Sequence, residues 1–261
     1  MGILNVTPDS FSDGGRYLDA AAAIEHGLEL AAQGAAIVDV GGESTRPGAA
    51  AVPLREELRR VVPVIEGLRA AGIDATISVD TSKLEVARAA LDAGATFVND
   101  VTAFRGAPAM AALVAARGAE CCLMHMQGEP RTMQSEPRYG DVIGEVCAFL
   151  RQRVDFALDA GIARARITVD PGFGFGKTVE HNLELLDRLN ELAALGQPIL
   201  IGTSRKSFLG ALTGRDEHDR LAATIATNVI GLLRGASLFR VHDVAAVRDA
   251  LAVAAATVRE R

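Results

Sequence analysis

Six side chains capable of acid–base, hydrogen-bonding or ligand chemistry recur at similar places along the chain. Asn5, Asp80, Asn99, His125, Asp170 and His242 each close, or directly follow, a short apolar run. Singly, each reads as a turn former or a packed polar residue; six in equivalent positions point to one site. Two cationic segments join them. Gly202-Thr203-Ser204-Arg205-Lys206-Ser207-Phe208 leads into a helix, so its amides and cations suit an anion or a carbonyl. In Arg240-Val241-His242-Asp243, strand alternation puts Arg240 and His242 on one side, and two adjacent donors suit an oxyanion-rich group such as pyrophosphate. Asn5, on the strand that would close against this one, is its expected neighbour. Asn5 and Asp13 offer the one or two oxygens that Mg²⁺ needs beside a phosphate. His26, His181 and His218 have no zinc spacing, and His125 between two methionines reads better as packed than as a ligand.

The run 170–178, DPGFGFGKT, suggests a nucleotide loop, but its chemistry differs. A P-loop needs glycine six positions before its lysine, where this chain has Pro171, and glycines at 172, 174 and 176 miss the dinucleotide spacing. The better reading is a rim loop that turns sharply after Asp170 and leaves Phe175 to wall a flat ligand.

Positioning such residues requires elements that bring their ends together. Apolar, partly β-branched runs predict strands at 1–5, 35–40, 76–80, 95–99, 120–125, 166–170, 198–202 and 236–241. Helical spacing predicts helices at 19–33, 53–71, 84–93, 107–117, 142–160, 179–195, 216–233 and 244–259. Gly34, Gly72, Gly94, Gly118, Gly161 and Gly196 fall at helix C-termini, and Ser82 with Glu85 reads as a capping box just beyond Asp80. Eight strands alternating with helices give an α/β fold, a single (β/α)8 TIM barrel over 1–261 in which every strand's C-terminal end faces one rim. The first strand is expected to begin at the first residues given.

Composition narrows the function. With 27 basic against 33 acidic residues, the net charge of −6 argues against a nucleic-acid-coating or membrane-surface protein. Three cysteines, at 121, 122 and 147, make neither a disulfide framework nor a metal site. No signal peptide or membrane span is legible, and Val6 breaks a myristoylation motif, so a cytoplasmic location is expected.

Taken together, MGILNVTPDSFSDGG (1–15), VDVGGESTRPGA (38–49), SVDTSK (78–83), NDV (99–101), LMHMQG (123–128), DPGFGFGKT (170–178), GTSRKSFLG (202–210) and RVHDV (240–244) resemble the dihydropteroate synthase family over nearly the whole chain. The resemblance implies a TIM barrel, usually a homodimer and a sulfonamide target. Such an enzyme joins 6-hydroxymethyl-7,8-dihydropterin diphosphate to 4-aminobenzoate and releases pyrophosphate with Mg²⁺. By motif, the pterin falls on Asp80, Asn99, Met124, Asp170 and Lys206, and the pyrophosphate on Asn5, Arg46, Arg240 and His242. The metal falls on Asn5 and Asp13, and 4-aminobenzoate on Thr45, Pro47, Phe175, Lys206 and Ser207. Catalysis would rest on Asp13, Lys206, Arg240 and His242. Family members generally carry residues ahead of the first strand. A pterin-binding methyltransferase-type barrel, an inactive paralogue and a Schiff-base aldolase using Lys206 are the alternatives. The methyltransferase has no diphosphate to bind, which makes the TRPG, SRK and RVHD segments the discriminating ones.

Overall fold

The computed structural model describes the backbone of residues 1–7, 16–44, 49–128 and 132–258, and the side chains of the same set apart from 16–19. In chain order the elements are β1 (Gly2–Asn5), α1 (Arg16–Ala32), β2 (Ile37–Gly41), α2 (Leu54–Ala70), β3 (Thr76–Asp80), α3 (Leu84–Asp92), β4 (Phe97–Asp100) and α4 (Ala109–Arg117). They continue with β5 (Glu120–Met124), α5 (Val142–Asp159), β6 (Ile167–Asp170), α6 (Val179–Asp187), β7 (Leu200–Ile201), α7 (Ser207–Thr213), α8 (Leu221–Leu233), β8 (Leu238–Phe239) and α9 (Val244–Val258).

Strands β1 to β6 form one parallel sheet in sequential order, and β7 pairs with β8. Backbone bonds close the ring at both seams. Val169 N–H donates to Pro198 O at 3.0 Å, joining β6 to the β7 segment, while Ile3 N–H donates to Val241 O at 3.0 Å and Val241 N–H to Met1 O at 2.9 Å. The expected eight-stranded barrel is therefore present. Its seventh and eighth strands shrink to two residues each. Pro198 has no N–H to give to a ladder, and the Ser237 and Leu238 amides both converge on Ile199 O.

Alternation along the strands decides what lies inside. Val38, Val40, Ile77, Val79, Val98, Cys121, Leu123 and Val169 belong to the large core between barrel and helices. On the opposite face, Phe97, Cys122 and Leu200 cluster with Met1, Ile37 and Leu238 as an apolar plug. Two residues further along the same face stand Asp39, Asn99, Met124 and Arg240, so a polar layer rests on the plug toward the C-terminal rim.

Three local expectations need correction. Ser82 and Glu85 form no capping box: Lys83 holds the N-cap position of α3 in an extended conformation without a side-chain cap bond. The box is at α6 instead, where Thr178 Oγ1 accepts from His181 N and His181 Nδ1 accepts from Thr178 N, each at 3.2 Å. The helix expected over 179–195 ends at Asp187 and continues as a 3₁₀ turn from Leu189 to Leu195, because Arg188 leaves the helical basin at φ −97°, ψ 15°. The helix expected from 216 starts at Leu221, after a 3₁₀ turn at Glu217–Asp219. Ahead of it lies α7, seven residues long and closed by Gly214 at φ 67°. Gly118 and Gly196, two of the glycines expected at helix ends, adopt φ 57° and 67°, where other residues would be strained.

Candidate active site

The polar layer is a hydrogen-bonded network centred on Asp39. Its Oδ1 accepts from Ser78 Oγ at 2.5 Å, and its Oδ2 accepts from Asn99 Nδ2 at 3.0 Å and from Arg240 Nε at 2.6 Å. Arg240 Nη2 donates to Asp80 Oδ2 at 2.7 Å. The guanidinium thus spans two carboxylates with two of its five N–H donors. These contacts follow from the register: Gly41 on β2 pairs with Asp80 on β3, which pairs with Asn99 on β4. Gly41 has no side chain to fill the space beside Asp80 Cβ and Asn5 Oδ1, which a Cβ there would meet at 3.6 and 3.7 Å.

Burial dominates the electrostatics. It pushes the Asp80 carboxyl up to about 7, against the pull of Arg240 and with the push of Asp39, since two acids share one cation. Burial likewise raises Asp170 to about 6, opposed by the Gly172 N–H, which donates to Asp170 Oδ1 at 2.7 Å, and by Lys206 and Lys177. Burial works against the charge on Arg240, but Asp39 and Asp80 more than offset it and hold the guanidinium above its ordinary value.

The loop after β6 forms one wall. Phe175 is buried with Val101, Met124, Met126 and Met133 in an apolar cluster separate from the main core. Lys206 Nζ, from the loop after β7, lies 4.1 Å from the centre of the Phe175 ring, a cation–π distance. That loop is stapled to the one after β8: His242 N donates to Ser204 Oγ at 3.2 Å, His242 Nδ1 meets the same hydroxyl at 3.0 Å, and Arg205 makes a two-pronged pair with Asp243 at 2.6 and 3.1 Å. Arg205 adopts φ 57°, a strained value for a residue with a side chain.

Asp80, Met124 and Asp170 end neighbouring strands and Asn99 is the last but one of β4, and Lys206, Phe175 and Arg240 complete the same mouth. Arg240 and His242, read from the sequence as one donor pair, divide: Arg240 turns inward to Asp39 and Asp80, and His242 faces Ser204. Ser207 is the exposed first residue of α7. Asn5 is half-buried at the end of β1, and among the described residues nothing hydrogen-bonds its carboxamide. Asp13, Thr45, Arg46 and Pro47 lie outside the described residues. His125 is packed, its ring edge-on to Phe149 at 4.9 Å, and burial with Lys177 and Arg105 nearby pushes it down to about 2.

Two features went unread in the sequence. Asp39 sits inside a strand rather than at its end; its signal is a lone acid at an inward position of IVDVG. The second is an anchor beneath the loop after β2, where Lys83 Nζ bridges Glu43 and the fully buried Glu57, and Glu57 also accepts from Thr81 Oγ1 at 2.6 Å. Among the described residues, no three His, Cys, Asp or Glu side chains are placed to hold a metal ion. The carboxamide oxygen of Asn5 still suits a magnesium that takes most of its ligands from water and phosphate.

A family model described as pterin binding enzyme matches residues 1–242. The dihydropteroate synthase of Mycobacterium leprae is 51% identical, with 98% of this chain and 92% of that protein aligned. Two solved structures are similar throughout. The dihydropteroate synthase of Xanthomonas albilineans with 4-aminobenzoic acid has a TM-score of 0.92 and 52% identity, covering 98% of this chain and 92% of that one. That of Yersinia pestis with a sulfonamide drug has a TM-score of 0.93 and 44% identity, covering 99% and 94%.

Proposed function

The chain belongs to the dihydropteroate synthase family of pterin-binding enzymes, and from that premise we propose how its own residues carry the reaction. The enzyme condenses 6-hydroxymethyl-7,8-dihydropterin diphosphate with 4-aminobenzoate, giving 7,8-dihydropteroate and pyrophosphate, as a transferase of folate biosynthesis. The observation that carries this reading is the convergence of Asp39, Asp80, Asn99, Asp170 and Arg240 in one layer above an apolar plug.

A pterin presents N–H donors and acceptors along one edge. Asp80, Asn99 and Asp170 complement that edge, and each hydrogen bond to a charged group contributes about 1.5–3 kcal/mol. Lys206 reaches the ring from the loop after β7, and Met124 packs beneath it. Once Asp80 turns to the pterin, the donors of Arg240 not used by Asp39 are available to the diphosphate, joined by Asn5, Arg46 and His242. Cations gathered there stabilise negative charge as the carbon–oxygen bond breaks, leaving a pterin methylene cation beside Asp80 and Asp170. The neutral amine of 4-aminobenzoate, held between Thr45, Pro47, Phe175 and Lys206 with its carboxylate at Ser207, attacks that carbon and then loses a proton. Mg²⁺, held by Asn5 and Asp13, would neutralise phosphate charge when bound.

The sulfonamide complex of the Yersinia pestis relative supports drug sensitivity at the 4-aminobenzoate site. The same reading makes residues 1–261 one pterin-binding domain acting as a cytoplasmic homodimer. The exposed apolar side chains Leu212, Leu221, Ile230 and Leu233 on α7 and α8 suit such a pairing. Among the described residues no helix is long and apolar enough to cross a membrane.

The test is to supply pterin diphosphate, Mg²⁺ and 4-aminobenzoate and to follow dihydropteroate and pyrophosphate together. Stoichiometric appearance of both is expected. A folded protein that forms neither would support the inactive-paralogue reading.

A further inference from the structure

The loop after β6 holds a buried cation that no step above uses. Lys177 is 3% exposed, and its ammonium meets three acceptors: His125 Nδ1 at 3.0 Å, Gly172 O at 3.0 Å and Phe175 O at 3.1 Å. Three donors on the ammonium match three acceptors.

The loop needs such a fastener. Gly172, Gly174 and Gly176 adopt φ 71°, 77° and 60°, and two of them press against other backbone: a Cβ would strike His125 O at 1.9 Å from Gly172 and Gln127 O at 2.6 Å from Gly176. Glycines that permit this path also leave it with the greatest freedom when unbound, so order must come from outside the backbone. Surrounding side chains supply it. Tyr139 Oη donates to Gly176 O at 2.8 Å, Gln134 Nε2 to Gly174 O at 2.6 Å, and Asn182 Oδ1 accepts from Gly174 N at 2.8 Å. Among the described residues only Lys177 grips the carbonyl of Phe175 itself, together with the carbonyl of Gly172 that accepts the Phe175 N–H at 3.1 Å.

We propose that Lys177 is a positioning residue that sets affinity for the arylamine co-substrate, by folding this loop so that Phe175 stands fixed as one wall of its subsite. The inference rests on the reaction given above. Lys177 touches neither substrate there; it acts through the backbone that carries Phe175, while the ring itself is met by Lys206 at 4.1 Å. A wall built before the ligand arrives saves the ordering cost on binding, which appears in KM for that ligand more than in the chemical step.

The experiment compares wild type, Lys177→Met and Tyr139→Phe. It measures KM for 4-aminobenzoate at saturating pterin diphosphate, kcat, and Kd for 6-hydroxymethylpterin by calorimetry, with a melting curve for each protein. For a folded Lys177→Met, KM for 4-aminobenzoate should rise about tenfold or more, with kcat and the pterin Kd each within about threefold of wild type. A parallel rise of KM and pterin Kd, or no change in either, overturns the proposal. If Lys177→Met does not fold, Tyr139→Phe decides. It removes one grip on the same loop, so a two- to fivefold rise in the same KM is expected, and an unchanged KM overturns the idea. Wild type that makes no dihydropteroate removes both the reaction and this inference, whereas wild type that turns over beside an unaltered Lys177→Met removes this inference alone.

Discussion

Arg240, just after β8, and Lys177, behind the loop after β6, are two cations whose surroundings differ in kind. Arg240 lies between the carboxylates of Asp39 and Asp80. Lys177 meets two carbonyls and an imidazole, and among the described residues no carboxylate is in hydrogen-bond contact with it. Full charges hold the guanidinium above its ordinary value, while burial, opposed by Asp170 and aided by Lys206, takes the lysine from 10.5 down to about 7. Carboxylates can be lent to a ligand because other charged partners can replace them. Carbonyl dipoles belong to the backbone and cannot be lent, so they fix a shape. The first arrangement suits a centre that binds and releases; the second suits a scaffold.

The largest effect should come from removing the shared cation. Arg240→Met leaves two buried acids facing each other, and stability should fall by about 3–5 kcal/mol in denaturant titrations at neutral pH, with turnover lost. A loss below about 1 kcal/mol would mean that the acids are already neutral and that the contrast with Lys177 is overstated.

Next comes the alkaline behaviour of Lys177. Its native value is depressed, so the folded state disfavours the proton, and burying the lysine costs stability below pH 10.5. Wild type should therefore gain stability relative to Lys177→Met as pH climbs from 7 to 10, by at most about 1.4 kcal/mol per unit. A flat difference for Lys177 would place its native value near that of a free lysine.

Pterin affinity tests the acids from the ligand's side. Asp170 is raised to about 6 and accepts best from a pterin N–H when ionised, so its protonation alone should weaken Kd for 6-hydroxymethylpterin by about tenfold as pH drops from 7 to 5. Asp170→Asn should bind more weakly and lose its own share of that dependence, with Asp80, at about 7, keeping the rest; calorimetry at three pH values reads both.

The smallest effect belongs to the scaffold alone. Thr178→Ala removes the cap of α6 and should cost about 1 kcal/mol in thermal unfolding, leaving KM for 4-aminobenzoate within twofold. A large KM change there would show that loop shape depends on the helix start as well as on Lys177.

What was legible in the sequence follows the same division. Strand positions were legible because each parallel strand is apolar on its outer face, and Asp80, Asn99 and Asp170 were legible because polarity begins where that apolarity ends. Asp39 was missed because it lies within a strand, where only inward alternation and a partner 201 residues away explain a charge. Lys177 read as the lysine of a failed nucleotide motif; its partner His125 is 52 positions distant, and no local pattern joins them. The displaced capping box shows the limit of short motifs: Ser82 has the right spacing, but Lys83 is drawn to Glu43 and Glu57, and the helix starts around that contact. Helix α7 was hidden by its length, seven residues being too few to establish a period.

The plug of Met1, Ile37, Phe97, Cys122, Leu200 and Leu238 has a consequence for traffic. It stoppers the barrel beneath Asp39, so reactants and products share a single doorway. By the reaction proposed above, both substrates reach the acids, and the conjugate and pyrophosphate leave them, on the side of the rim. A vessel stoppered at the bottom is filled and emptied from the top, and here six apolar side chains make the stopper.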